Sequence, residues 1–228
     1  MAVMSLIKKK IVIWGASGHA KVLQEFLGQI GYELIALFDN DPNTVSPFPN
    51  VPLYHGTDGF MRWKGQQRHP DKIRCVVAIG GSHGYSRLKI QRYLRSQGLI
   101  PVMIAHPASY IANTTRSGPG SQILAGSVIG VDVKMGDACI VNTSASIDHE
   151  CHLGDGVHIA PGATIAGCVS IGDFSFIGAG AAVLPRVRIG NRCIIGAGSI
   201  VTRDIPDGVV AYGNPARVVR NNSEQHND

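Results

Sequence analysis

Titratable side chains crowd together at one place in this 228-residue chain, the segment Asp148-His149-Glu150. His152 and His158 follow shortly afterwards. A histidine titrates near neutral pH, and a neighbouring carboxylate can orient its ring, so this combination is typical of a general base.

Three interpretations of this segment compete. The first is an exposed polar strip without chemistry. The second is a zinc site shared between subunits, with a nearby carboxylate orienting the imidazoles and three histidine ligands: His149, His152 and His158. The third is proton abstraction from an attacking amine or hydroxyl. We favour the third, because the zinc site would explain nothing about the front of the chain.

A six-residue repeat must position these side chains. From Ile111 to Val201 every sixth residue is aliphatic or methionine, and only Ser117 breaks the register. A second lane of small or β-branched residues lies four positions after each of these anchors. Neither a helix nor a simple strand produces a period of six, which is the signature of a parallel β-helix. Three hexads would form one triangular coil, and coils would stack roughly 4.8 Å apart.

The register also predicts which way side chains face. Anchors and the small lane point inward, so the three histidines, which are on neither lane, are expected to face outward. Three cysteines are on the small lane and are expected to be core residues rather than nucleophiles: Cys139, Cys151 and Cys193. Glycines directly after an anchor, such as Gly136 and Gly172, are expected to adopt a corner conformation that is costly for other residues.

The front third alternates strands and helices, which predicts a small Rossmann-like α/β domain with a parallel sheet. The predicted strands are 10–14, 33–38 and 75–79, and the predicted helices are 20–27 and 86–97. In such sheets, ligands bind beyond the carboxyl ends of the strands.

Two glycine turns and Asp39 should lie at that edge of the sheet. The turn GASGHA lacks the full G-x-G-x-x-G pattern, and a tight turn without a ligand is an open alternative. However, amides at a helix start can hold a phosphate, His19 could add a donor, and Asp39 could accept from a base or ribose. We therefore favour a nucleotide-linked small molecule over a hydride-transfer cofactor. The candidate contacts are Ser17, Gly18, His19, Asp39, Asn40 and Gly80.

Composition limits the function further. The net charge is +5, and basic residues are scattered apart from Lys8–Lys10, which argues against a nucleic-acid partner. Five cysteines, three of them on the core lane, favour a reducing compartment. Because no apolar run could span a bilayer and no signal-peptide core follows the basic cluster, we expect a cytoplasmic protein without a membrane partner.

The expected domains are 1–105 (Rossmann-like, binding the nucleotide-linked molecule), 106–220 (β-helix) and a flexible tail at 221–228. No Gly/Ser linker separates the first two.

Five segments carry a family resemblance, and together they span almost the whole chain. They are GASGHAKV at 15–22, FDND at 38–41, IAHPAS at 104–109, NTSASIDHECHLGDGVHIAPG at 142–162 and GAGSIVTRDIPDGVVAYGNPARVV at 196–219. The combination resembles the left-handed β-helix sugar O-/N-acyltransferases. It is most similar to bacterial nucleotide-sugar 4-amino N-acetyltransferases that act on UDP-linked bacillosamine precursors or GDP-perosamine. The turn GGSHGYSR at 80–87 departs from relatives, which often have a shorter, Asn-containing turn.

The resemblance implies a left-handed coil and a homotrimer with active sites at the seams between subunits. It implies acetyl-CoA as co-substrate and no metal. His149 would match the general base and Glu150 its acidic partner, while Gly18, His19 and Asp39 would match the nucleotide-sugar contacts. The positions that match acetyl-CoA contacts are His158, Gly167, Ala179 and Ala197.

Two other functions remain open at this point. One is a sialic-acid-type O-acetyltransferase, in which a hydroxyl would be the acceptor. The other is a nucleotide-sugar-binding scaffold without catalysis.

Overall fold

The computed structural model describes residues 8–222. The chain divides into two compact units, and each is described by itself. The first unit comprises the residues up to Ile79 together with Lys89–Val102. The second comprises Gly80–Leu88 and the residues from Met103 onward. Residues 80–88, which the sequence analysis assigned to the front domain, are therefore grouped with the coil.

The first unit is built on a five-stranded parallel sheet in the order β3-β2-β1-β4-β5, a Rossmann-like arrangement. Its elements, with a 3₁₀ turn at Pro70–Lys72, are β1 (Lys9–Trp14), α1 (Gly18–Leu27), β2 (Tyr32–Asp39), β3 (Leu53–His55), α2 (Gly56–Gly65), β4 (Arg74–Val77), α3 (Gly84–Ser96) and β5 (Ile100–Pro101). The helix α3 begins in residues of the second unit and ends in residues of the first.

Aromatic packing beside the sheet explains one element that the sequence analysis missed. Phe60 and Trp63 are buried and lie one turn apart on α2. The Phe38 ring, at the end of β2, packs edge-on against both, with centroid distances of 5.2 Å. Only these two aromatic side chains mark the apolar face of α2, which is too short a pattern to predict a helix.

The second unit is a left-handed parallel β-helix. Each strand pairs in parallel with the strand three places further along, so one coil takes 18 residues. The seventeen two-residue strands are β6 (Ile104–Ala105), β7 (Tyr110–Ile111), β8 (Arg116–Ser117), β9 (Gln122–Ile123), β10 (Val128–Ile129), β11 (Lys134–Met135), β12 (Ile140–Val141), β13 (Ser146–Ile147), β14 (His152–Leu153), β15 (His158–Ile159), β16 (Thr164–Ile165), β17 (Ser170–Ile171), β18 (Phe176–Ile177), β19 (Ala182–Val183), β20 (Arg188–Ile189), β21 (Ile194–Ile195) and β22 (Ile200–Val201).

The predicted anchors form the core of this unit. From Ile123 to Val201 each is at most 6% exposed, and anchors pair in register across coils, as Ile129 does with Ile147. The repeat begins one hexad earlier than predicted, because Ala105 lies in the same register as the anchors.

The glycines that follow the anchors do not turn the corners, so that expectation was wrong. The left-handed conformation instead falls three residues after each register position from Ser117 to Ile195, for example at Ser144 (φ 55°) and Glu150 (φ 57°). Glycine follows the anchor because adjacent coils leave no room there: a Cβ at Gly172 would lie 2.6 Å from the backbone nitrogen of Asn191.

The outward residues give the three faces of the coil different characters. One face is uncharged, with Tyr110, Val128, Ser146, Thr164, Ala182 and Ile200. The second is mostly basic, with Arg116, Lys134, His152, Ser170 and Arg188. The third is largely buried and includes Gln122, Ile140 and His158.

An antiparallel hairpin ends the coil, formed by β23 (Val209–Gly213) and β24 (Ala216–Asn221). The tail expected at 221–228 therefore starts inside a strand. Asn222 is also buried, and its side-chain amide donates to the carbonyl oxygen of Arg192 at 2.9 Å. Residues 223–228 lie outside the described residues.

Within residues 8–222, no helix combines the length and the apolar character that a membrane span requires.

Because adjacent coils lie so close together, we expect a side chain added at one of these glycines to destabilise the protein. Gly172→Ala should lower the free energy of unfolding by about 1–3 kcal/mol, because the new methyl group meets backbone that cannot move aside. Thermal and denaturant unfolding would measure this. Gly65→Ala is the matched control, since no atom lies within 4 Å of its added Cβ. Equal stability of the two variants would contradict our account of the glycines.

Candidate active site

His149 and Glu150 form a hydrogen-bonded pair on a corner of the coil. They follow β13, and the Nδ1 of His149 donates to the Oε2 of Glu150 at 3.0 Å. The backbone N–H of His149 donates to the Oδ1 of Asp148 at 2.8 Å. The side chains of His149 and Glu150 are 47% and 60% exposed, so the pair is open to small molecules.

The carboxylate decides where the imidazole carries its proton. An ionised carboxylate can only accept, so Nδ1 of His149 must hold the hydrogen that it shares with Glu150. In the neutral ring, Nε2 then has the lone pair and can accept a proton. This is the arrangement that a general base requires.

The neighbouring coil places Gly167 next to the ring of His149. The two residues are 18 positions apart, and a Cβ at Gly167 would lie 2.5 Å from Nε2 of His149. Glycine at this position therefore leaves the space that the imidazole occupies. The sequence-predicted residues His149, Glu150 and Gly167 are thus brought together.

Cys168 also lies beside the pair, and the sequence analysis missed it. Its Sγ is 3.8 Å from the Oε2 of Glu150, and its backbone N–H donates to the carbonyl oxygen of His149 at 2.9 Å. The signal that could have revealed it is the 18-residue spacing from Glu150, which is the length of one coil.

His158 has the outward position on β15 that the register predicts, but its side chain is only 5% exposed. Its Nδ1 is 3.1 Å from the carbonyl oxygen of Gly81, and its Nε2 is 3.1 Å from the Nδ2 of Asn142. The Oδ1 of Asn142 accepts from the N–H of Thr143, so its NH₂ group faces His158. Hence Nε2 of His158 accepts and Nδ1–H donates to Gly81.

A buried arginine holds the segment that covers His158. Arg87 is fully buried and donates to the carbonyl oxygens of Ala138 and Gly156, both at 2.7 Å. Burial lowers its pKa to about 10, because the charged form loses its hydration. Tyr85 packs edge-on against Phe174 on the same side of the coil. Residues 80–88 are thereby fixed to the β-helix.

The remaining predicted acetyl-CoA positions, Ala179 and Ala197, are exposed and stacked on the corner that follows β18 and β21. Both lie on one corner of the β-helix, and His149, which follows β13, lies on a different corner. Within one chain, the structure does not bring them to the His149–Glu150 pair.

In the first unit, Asp39 joins the end of β2 to the turn after β1. Its Oδ2 accepts from the backbone N–H of Ala16 at 2.8 Å, and its Oδ1 accepts from that of Asp41 at 3.0 Å. The carboxylate therefore orders the predicted binding edge, in addition to any contact with a ligand.

The other predicted nucleotide-sugar residues divide between the units. Ser17 is the N-cap of α1, but its side chain makes no capping hydrogen bond, and Gly18 has open space around it. His19 is half-buried in the first turn of α1, and Asn40 is exposed. Gly80 belongs to the second unit, where a Cβ on it would lie 3.8 Å from the Cε1 of His158.

The cysteines on the inward lane are core residues, as predicted. Cys139, Cys151 and Cys193 are fully buried among the aliphatic anchors. Burial raises the pKa of Cys139 to about 12 and that of Cys151 to about 11. Thiols with such pKa values are poor nucleophiles at neutral pH.

Among residues 8–222 of one chain, a single group of side chains could gather around a metal ion, and it differs from the three histidines that the zinc interpretation named. It consists of His149, Glu150 and Cys168.

Comparison with known proteins gives the class. Residues 132–167 and 168–203 match the bacterial transferase hexapeptide family (six repeats), and residues 10–94 match the PglD N-terminal domain. The coil is thus that of a hexapeptide-repeat transferase.

Solved structures narrow the class to a family. PerB from Caulobacter crescentus, solved with CoA and GDP-perosamine, is 37% identical over 92% of this chain and 97% of its own, with a TM-score of 0.83. The acetyltransferase domain of PglB from Neisseria gonorrhoeae, solved with acetyl-CoA, is 30% identical over 93% and 100%, with a TM-score of 0.82. This chain belongs to the left-handed β-helix sugar acyltransferase family.

The hydrogen bonds of His158 make a spectroscopic prediction. At neutral pH, ¹⁵N NMR of the imidazoles should show His158 with a protonated Nδ1 and an unprotonated Nε2. Arg87→Lys should disturb this signature, because a lysine lacks the planar fork that reaches two carbonyl oxygens. A protonated Nε2 on His158 in the unaltered protein would contradict the assignment.

Proposed function

We propose that this protein transfers the acetyl group of acetyl-CoA to the 4-amino group of a nucleotide-linked amino sugar. The observation that carries the proposal is the 3.0 Å contact between Nδ1 of His149 and the carboxylate of Glu150 on an exposed corner. The family membership supports the acetyl donor, and the 37% identity to PerB supports an amino sugar as acceptor.

The reaction is direct transfer in a ternary complex. The amine, as a free base, attacks the thioester carbonyl carbon while Nε2 of His149 takes a proton from the attacking nitrogen. The carbon–sulfur bond then breaks, and His149 returns its proton to the sulfur, so that CoA leaves as the thiol. Glu150 stabilises the imidazolium that exists between these two steps.

No acyl-enzyme is needed. Cys151 follows the His149–Glu150 pair directly in sequence, but its side chain is buried in the coil and its pKa is raised to about 11. It therefore cannot compete with the amine for the thioester.

A backbone amide is a better oxyanion donor than His158. The ring N–H of His158 is already donated to Gly81, while its Nε2 accepts from Asn142. A preorganised backbone amide that donates to the oxyanion contributes on the order of 10²- to 10³-fold in rate.

The nucleotide is assigned to the turn between β1 and α1. The start of α1 suits a phosphate because no acidic residue lies in its first turn and because there is open space around Gly18. Asp39 holds this turn through the N–H of Ala16. The proposed nucleotide contacts within the first unit are Ser17, Gly18, His19, Asp39 and Asn40.

A homotrimer completes the proposal. His149 lies on one corner of the β-helix, whereas Ala179 and Ala197 lie on another, so we expect a site that uses all three residues to need a second copy of the chain. One face of the coil is uncharged and exposes Tyr110 and Val128, at 62% and 44%. Such a face suits burial between subunits better than the basic face does.

Removal of the base tests the mechanism. His149→Ala should lower turnover by about 10²- to 10⁴-fold, the usual contribution of a general base, without changing oligomeric state or thermal stability. His152→Ala is the matched control, because His152 is an exposed histidine on the same coil whose Nδ1 lies 3.2 Å from the carbonyl oxygen of Glu150 rather than from a carboxylate. Near-normal turnover of His149→Ala would rule out the assignment.

The acceptor is tested by following thiol release from acetyl-CoA with a panel of nucleotide-linked sugars. We expect turnover with a 4-amino sugar and none with its 4-hydroxyl counterpart. Turnover with the hydroxyl compound or with a sialic acid would favour O-acetylation. Binding of nucleotide sugars without any thiol release would favour a scaffold.

A further inference from the structure

Three side chains that can bind a metal ion lie close together on the corner that follows β13: His149, Glu150 and Cys168. The proposed mechanism uses only His149 and Glu150. The Oε2 of Glu150 is 3.0 Å from Nδ1 of His149 and 3.8 Å from Sγ of Cys168. One ligand atom from each residue lies within 4.8 Å of the other two.

The two separations that involve Glu150, 3.0 and 3.8 Å, lie on either side of those around a tetrahedral zinc ion. Zinc binds nitrogen and oxygen at about 2.0–2.2 Å and sulfur at about 2.3 Å, which puts its ligands roughly 3.3–3.6 Å apart. An imidazole, a thiolate and a carboxylate are all zinc ligands, and three of them leave a fourth position open to water.

The corner is also accessible and rigid. His149 and Glu150 are each about half exposed, and Cys168 is half-buried. The backbone N–H of Cys168 donates to the carbonyl oxygen of His149, so the two coils are fixed at this level.

We infer that His149, Glu150 and Cys168 form an inhibitory site for a thiophilic divalent cation, with Zn²⁺ as the reference ion. The ion replaces the hydrogen bond between Nδ1 of His149 and Glu150, and the thiol proton of Cys168 leaves to solvent. The imidazole remains neutral, but its single proton moves from Nδ1 to Nε2.

This tautomer change explains why the ion would inhibit. With Nε2 protonated, His149 has no lone pair to receive the proton of the attacking amine. The inhibition therefore rests on the proposed function, whereas the metal site itself does not. Because the ion acts on the base, Zn²⁺ should lower kcat far more than it raises the KM for acetyl-CoA.

The test is a calorimetric titration of tag-free, full-length protein with Zn²⁺ alone, for the unaltered chain, Cys168→Ala and His152→Ala. We expect one ion per chain in the unaltered protein and in His152→Ala. Cys168→Ala should bind at least about tenfold more weakly, since even outer-shell partners of metal ligands contribute about 10- to 100-fold in affinity. Equal binding by Cys168→Ala, or an equal loss in His152→Ala, would overturn the site.

Two further measurements separate this inference from the proposed function. In ¹⁵N NMR, saturating Zn²⁺ should move the His149 proton to Nε2, whether or not an acceptor has been identified. In the thiol-release assay, Cys168→Ala should keep its basal turnover and lose sensitivity to Zn²⁺. A Cys168→Ala enzyme inhibited at the same Zn²⁺ concentration as the unaltered enzyme would refute the inference. An absence of acetyl transfer would refute only the proposed function.

Discussion

The 18-residue period of the backbone hydrogen bonds is the constraint on which the second unit depends. It stacks the anchors into continuous columns, so that Ile129, Ile147 and Ile165 bury one another. Because no coil could bury its own anchor, stability is shared between neighbours. The same period decides what lies beside the His149–Glu150 pair: Gly167 next to the imidazole of His149, and Cys168 next to the carboxylate of Glu150.

The charge of Arg87 is a second organising interaction. A buried guanidinium is costly unless its donors are satisfied, and here two corner carbonyl oxygens, on Ala138 and Gly156, accept from it. These two carbonyl groups are one coil apart, so the planar guanidinium of Arg87 can donate to both of them. Residues 80–88 gain a fixed conformation, and the carbonyl of Gly81 is held where it determines the tautomer of His158.

Much of the coil could be predicted from the sequence, since a strict period of six leaves few alternatives. The anchors, the buried cysteines and the outward position of His149 all follow from it. Other features depend on what neighbours a residue across the fold. The register places His158 outside the core but gives no sign that residues 80–88 cover it. The glycines that directly follow several anchors were misread, because lack of space and a special φ angle both select glycine.

The first unit shows a different limit. Its parallel strands and the turn at Gly15–His19 could be predicted from alternation and glycine spacing. Helix α2 could not, because its inward face consists of little more than Phe60 and Trp63. Asp39 was correctly placed at the end of β2, but the N–H of Ala16 as its partner becomes evident only when the strands are adjacent.

The hairpin of β23 and β24 has a consequence for the length of the column. A parallel coil presents unpaired N–H and C=O groups at its last strand, and these would template another coil from any neighbouring chain. The reversal at β24 replaces that template with an antiparallel edge that carries exposed Arg217 and Arg220. The addition of another chain at this terminus is thereby opposed.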